Sequence, residues 1–298
     1  MRAFAWFGAV IVLGLGLSAL IAYPLYTVVA EVGDWPFHRV ASRIAMLVVG
    51  LELLWLCRRL DIRTQSAWGY GLPWRRFLSV SAAWGLAGIL TAALGALFLL
   101  RSGLRVAAQD FTATPAALAR VALVSLGSGI AVALLEESVM RGAMHTAIER
   151  ESGPWAAALL TAPLFAILHF FAKARIPPEL LGWGSGVDLL LRSFVPLSHP
   201  GLVLDAFLSW LVVGLILSLT RVLTGNIAVA IGLHAGWVFV LRALQQSTVR
   251  STSSAYAEWV GRFDGLLGYW LLPWGLGIAA ALWLLRARWV PAARSLPG

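Results

Sequence analysis

The sequence predicts an all-α fold: a polytopic membrane bundle of about eight transmembrane helices, with residues 1–298 forming a single integral membrane domain. Three observations predict it. Charged residues occupy only 12% of the 298 positions and apolar residues 60%, whereas a soluble domain is about 25% charged. The mean hydropathy is +0.82. Apolar runs also recur at the length needed to cross a bilayer core, about 20 residues at about 1.5 Å each.

The first run, 4–29, follows Met1-Arg2. It is longer than the apolar region of a secretory signal, roughly 7–15 residues, and no small-x-small site follows, so it reads as an uncleaved span. The second, 40–57, carries Glu52, which packs into the bundle or sits at the interface. Residues 58–76 form a basic loop whose Trp68, Tyr70 and Trp74 suit the headgroup layer. The third span is 78–100; the fourth, 116–140, continues as helix towards 149; the fifth is 154–172. Residues 173–200 are broken by Pro177-Pro178, Gly182, Gly184, Gly186, Pro196 and Pro200, so they do not span. Within them, 187–195 reads as a surface or re-entrant helix. The sixth and seventh spans are 201–222 and 226–244, and a polar stretch over 245–264 precedes the eighth, 266–286.

The net charge of +9 resides in arginines at span ends and in loops, where they face anionic lipid. No nucleic-acid-binding pattern accompanies them. The expected partners are therefore membrane lipid and a membrane-associated protein or peptide substrate, with no nucleic acid. Arg58, Arg59, Arg63, Arg75 and Arg76 in one loop, with Arg286, Arg288 and Arg294 at the C-terminal end, predict cytoplasmic termini in a bacterial inner membrane. Cys57 is the single cysteine, which excludes an intrachain disulfide and a Cys-rich metal site.

Against this apolar background, Leu134-Leu135-Glu136-Glu137-Ser138-Val139-Met140-Arg141-Gly142 places two carboxylates and a guanidinium inside the fourth span. A charge at the bilayer centre costs roughly 2.5–3.5 kcal/mol on insertion scales, and such groups mark function by default. Arg141 lies four positions after Glu137, the spacing of a pair on one helix face. Glu136 projects about 100° away and is the freer carboxylate. His169 ends the fifth span and His234 lies inside the seventh, both in strongly apolar helix; His145 and His199 read as interfacial and His38 as a loop residue.

A carboxylate and two histidines in a membrane cavity fit two chemistries. In one, Glu136 is a general base, made more basic by desolvation, and takes a proton from water, while the histidines position that water or stabilise an oxyanion. In the other, His169, His234 and a glutamate bind zinc and leave a fourth position open. The expectation is no cofactor, with zinc as the alternative.

Three motifs carry a resemblance. Glu136-Glu137-Ser138-Val139-Met140-Arg141 matches EExxxR, Phe165-Ala166-Ile167-Leu168-His169 matches FxxxH, and His234 opens a third motif, HxxxN/D. In this order and on separate spans, over about 116–244, they resemble the CAAX prenyl protease and bacteriocin-processing (CPBP, or Abi) family of intramembrane glutamate proteases. The span count is similar to that of the Ras-converting CAAX protease. The resemblance implies an intramembrane endopeptidase that hydrolyses a peptide bond in a membrane-associated or lipidated protein or peptide. Glu136 would activate water, His169 would assist it, His234 would serve the oxyanion, and Glu137 and Arg141 would hold the geometry. One position departs: Val238 stands where the family has Asn or Asp. That departure motivates the alternative of a non-catalytic membrane immunity or scaffold protein. Asn226, the only asparagine, lies eight positions before His234, about 12 Å along a helix.

Overall fold

The computed structural model describes residues 1–170, 174–261 and 263–289. Each apolar run winds into helix, since a helix satisfies every backbone N–H and C=O internally where no water is available. The helices are α1 (Arg2–Ala30), α2 (Phe37–Arg59), α3 (Trp74–Arg101), α4 (Pro115–Glu137), α5 (His145–Ser152), α6 (Pro154–Leu168), α7 (Ser185–Phe194), α8 (Pro200–Thr224), α9 (Ala228–Ser247) and α10 (Leu271–Leu284). Local chemistry sets their ends. Thr114 Oγ1 accepts the Ala117 N–H at 3.2 Å and Pro115 opens α4. Gly225, at φ 71°, closes α8 in the left-handed conformation. Asn226 Oδ1 accepts the Ala228 N–H at 3.0 Å, so the only asparagine caps α9.

A π-helical segment, Ser138–Met144, joins α4 to α5, making one 38-residue rod from Pro115 to Ser152. π-Turns bond i to i+5, and short ones recur at functional sites. This one begins directly after Glu136 and Glu137. Tyr70, from the loop after α2, hydrogen-bonds Ser138 Oγ at 2.6 Å. Ser138 Oγ already donates to the Leu134 carbonyl, so the tyrosine hydroxyl is the donor. Tyr70 thus tethers the start of the π segment rather than facing lipid headgroups.

The innermost long helix is α9, with 56% of its apolar window buried. It packs between α3 and α4. Lipid tails are as apolar as side chains, so close packing, rather than water exclusion, holds membrane helices together, and small residues permit it. Gly232 and Gly236 supply them on α9. A Cβ at Gly232 would meet the Ser81 carbonyl and one at Gly236 the Gly85 carbonyl of α3. His234 lies between these two glycines.

Six helices are long and apolar enough to cross a membrane among the described residues: Arg2–Ala30, Phe37–Arg59, Trp74–Arg101, Pro115–Ser152, Pro200–Thr224 and Ala228–Ser247. The expected count of eight is not confirmed. The other two, Pro154–Leu168 and Leu271–Leu284, are apolar but shorter. The first stops because the chain turns at His169 and Phe170, and the rest of the predicted 154–172 lies outside the described residues. In the second, Asp264 Oδ1 accepts the N–H groups of Leu266 and Leu267, holding that stretch in a turn ahead of the helix.

Smaller corrections follow the same logic. His145 is fully buried rather than interfacial, because the π segment turns it into the bundle. His38 belongs to α2. The polar 245–264 stretch includes a three-residue strand, Thr248–Arg250, antiparallel to Arg105–Ala107, and buried Arg105 ties the two through Thr248. The 187–195 segment falls on α7, a surface helix packed on α1.

The α3–α9 approach predicts that Gly236→Leu lowers the thermal midpoint in detergent, with an overpacking cost of about 1–3 kcal/mol. Gly277→Leu on α10, where a side chain meets open space, leaves the midpoint near that of the parent. Equal midpoints for Gly236→Leu and Gly277→Leu would refute this packing.

Candidate active site

The rod, α6 and α9 each deliver one part of a buried polar cluster. Glu137 and Arg141 are both fully buried, and Arg141 Nη1 donates to Glu137 Oε1 at 3.1 Å. The same carboxylate oxygen accepts the His234 Nδ1–H at 2.8 Å. One oxygen of Glu137 therefore anchors a cation on its own helix and an imidazole on another.

Arg141 also donates to α8 from its other two nitrogens. Its Nη2 donates to the Gly214 carbonyl at 2.9 Å and its Nε to Ser218 Oγ at 3.4 Å. Its guanidinium lies 4.4 Å over the Phe165 ring of α6, a desolvated cation–π contact. Arg221, one turn beyond Ser218, donates Nε–H to the Arg141 carbonyl at 3.1 Å and Nη2–H to Thr146 at 3.0 Å. The π segment is thus gripped by α8 on both side chain and backbone.

His169 follows α6 directly. Its Nδ1 lies 2.7 Å from the Phe165 carbonyl. A carbonyl only accepts, so Nδ1 carries the hydrogen and the neutral ring leaves Nε2 as a lone pair. The ring is clamped between the Phe165 ring, with centroids 4.4 Å apart, and Trp210, stacked at 3.8 Å and 24°. The bond from His234 Nδ1–H to Glu137 fixes the same tautomer there.

Both bare Nε2 atoms face Glu136. His169 Nε2 is 3.9 Å and His234 Nε2 4.0 Å from Glu136 Oε2. This oxygen is buried and has no hydrogen-bond partner among the described residues. The Glu136 side chain as a whole is 29% exposed, so the site is open on one side. These separations are too long for hydrogen bonds but fit one water bridging the three atoms at about 2.8 Å from each. All three atoms are acceptors, so the two O–H groups of one water can serve two of them at a time.

Among the described residues, no group of three His, Cys, Asp or Glu side chains is arranged to hold a metal ion. Two ligands on one tetrahedral zinc, at about 2.0–2.1 Å each, stand roughly 3.3 Å apart, closer than these.

Beside the cluster runs an apolar cavity between α3, α8, α9 and α10. His234, Trp210, Val238, Val213, Trp274 and Ile278 are among its walls. Val238 therefore presents a methyl-lined surface there. Trp237 is committed elsewhere, its indole N–H donating to Thr91 at 3.0 Å.

The structure brings Glu136, Glu137, Arg141, His169 and His234 into one cluster and leaves His38 and His199 out of it. Sequence reasoning missed Trp210, Gly214, Ser218 and Tyr70. For the first three a signal exists: they lie four residues apart on α8, one face of a helix, and Arg221 follows. Tyr70 sits in a loop whose composition alone carries no such signal.

Residues 118–240 match the family model of the type II CAAX prenyl endopeptidases, Rce1-like. The matched segment contains all five clustered residues. No curated protein and no solved structure matches the chain.

Removing one partner of a fully buried ion pair costs about 3–5 kcal/mol because it strands the other charge. Arg141→Met is accordingly expected to unfold at markedly lower temperature. Adding Glu137→Gln to Arg141→Met recovers part of that loss in a double-mutant cycle. Strict additivity of the two substitutions would show that the pair is not coupled.

Proposed function

We propose, from the premise that residues 118–240 are Rce1-like, that this protein is an intramembrane glutamate endopeptidase acting on a membrane-anchored or lipidated protein or peptide. The observation that carries the reading is the convergence of His169 Nε2 and His234 Nε2 on the unpartnered Glu136 Oε2 at 3.9 and 4.0 Å. Glu136 takes one proton from the bridging water as its oxygen attacks the peptide carbonyl carbon. His169 Nε2 accepts the other hydrogen and fixes the direction of attack. The C–N bond then breaks, and the proton held by Glu136 passes to the leaving amine.

Glu137 has two tasks. It pairs with Arg141, and by accepting the His234 Nδ1–H it turns that ring's Nε2 towards Glu136. No step requires a metal. The apolar cavity against His234 and Trp210 suits a small apolar side chain of an anchored substrate. We further propose a bacterial inner membrane as its location, and the basic loop after α2 supports cytoplasmic termini. The N-terminal amine pairs with Glu151 at 2.7 Å, which sets the N-terminus beside the end of α5.

Val238 favours a second reading, a non-catalytic membrane protein that keeps the family's fold, since an apolar residue stands beside His234. One experiment separates the two. The purified protein in liposomes receives an anchored peptide, with and without a prenyl group, and products are followed by mass spectrometry. Cleavage is expected, with Glu136→Gln slower by about 10²–10⁴-fold, an unchanged thermal midpoint, and no effect of a zinc chelator. Absence of cleavage would favour the scaffold reading. Loss of activity on chelation, restored by zinc, would reject the metal-free mechanism.

A further inference from the structure

The cluster lacks hydrogen-bond donors. The Nδ1–H groups of His169 and His234 are used on the Phe165 carbonyl and Glu137. Glu136 is an acceptor, and Arg141 is fully buried with each of its three nitrogens bonded, to Glu137, Ser218 and Gly214. With both imidazoles neutral, none of these side chains can donate to an oxyanion, and an oxyanion without donors is poorly stabilised in a low-dielectric site.

Trp210 carries an N–H donor on a ring beside the cluster. Its ring stacks on His169 at 3.8 Å and also lines the cavity that His234 and Val238 share. The indoles of Trp68, Trp237, Trp270 and Trp289 donate to Ile62, Thr91, Leu266 and Leu282. The Trp210 indole has no hydrogen-bond acceptor among the described residues, and its nitrogen is not among the sealed-off polar atoms. It lies at the junction of the polar cluster and the apolar cavity. Val238, one turn after His234 on α9, offers no polar atom there.

We propose that Trp210 is a further catalytic residue whose indole N–H donates to the oxyanion, taking the place of the absent polar side chain at Val238. The proposal rests on the hydrolase reading above. No proton is transferred: the N–H hydrogen bond forms as negative charge develops on the substrate oxygen and is released when the C–N bond breaks. The bond is made only in the transition state, so it acts on kcat rather than KM.

The test uses the full-length protein in liposomes with an anchored peptide that the parent cleaves. Trp210→Phe keeps an aromatic ring against His169 and an apolar cavity wall but removes the N–H. A fall in kcat of about 10²–10³-fold, the usual loss for one oxyanion donor, is expected with little change in KM. Val238→Asn, added to Trp210→Phe, is expected to restore at least part of that loss, because an amide then faces the same space. Thermal midpoints are measured alongside. An unchanged kcat in Trp210→Phe overturns the proposal, and so does a fall that tracks a lower midpoint or that Val238→Asn leaves unrelieved. Failure of the parent protein to cleave, or cleavage insensitive to Glu136→Gln, is a different result: it overturns the hydrolase reading, and the Trp210 role falls with it.

Discussion

A single carboxylate oxygen, Glu137 Oε1, holds the site together. It accepts from Arg141 at 3.1 Å and from His234 at 2.8 Å. Attraction between unit charges at 3.1 Å amounts to about 5 kcal/mol at an effective dielectric near 20. Desolvation costs several kcal/mol for each ion, so the pair alone does no better than break even. What tips the balance is the network: the Gly214 carbonyl, Ser218, the face of Phe165 and the His234 imidazole each satisfy part of the buried charge. Four segments of the fold converge on this one oxygen and its cation.

The network divides the labour between adjacent glutamates. Glu137 is buried and spent on structure; Glu136, the next residue, projects to a different side and keeps an unpartnered oxygen. The π segment starts where this division is needed, and Arg221 and Tyr70 fasten its two ends. Neither glutamate could be moved by one position without exchanging these environments. The histidines are constrained by the same economy. Each gives its Nδ1–H to a fixed acceptor, one a backbone carbonyl and the other Glu137, so each presents a lone pair to Glu136.

Much of this was legible in the sequence because hydrophobicity makes charge conspicuous. Glu136, Glu137 and Arg141 stood out in an apolar span, and the i,i+4 spacing indicated which glutamate would pair. The helix positions followed from the length of the apolar runs. The lengths of two helices did not, because a run of apolar residues does not reveal where the chain turns, as it does after Leu168 and before Leu271. The role of α8 was hidden for a different reason. Gly214 contributes a backbone carbonyl and Ser218 a small hydroxyl, and neither announces a site by its residue type. His145 was misplaced because its burial depends on the turn of the π segment, which propensities for ordinary helix do not encode. Gly232 and Gly236 carried a readable small-xxx-small signal for the α3 contact, spaced evenly about the histidine they position.

His169 and His234 each turn Nε2 towards Glu136, the second held in place by Glu137. Nitrogen-15 NMR of histidine-labelled protein in detergent reads this directly, with His169→Gln and His234→Gln assigning the signals. The account predicts that both rings are Nδ1–H tautomers near neutral pH, and that Glu137→Gln shifts the His234 signals while those of His169 hold. Nε2–H tautomers at both positions, or a His234 signal indifferent to Glu137→Gln, would contradict it.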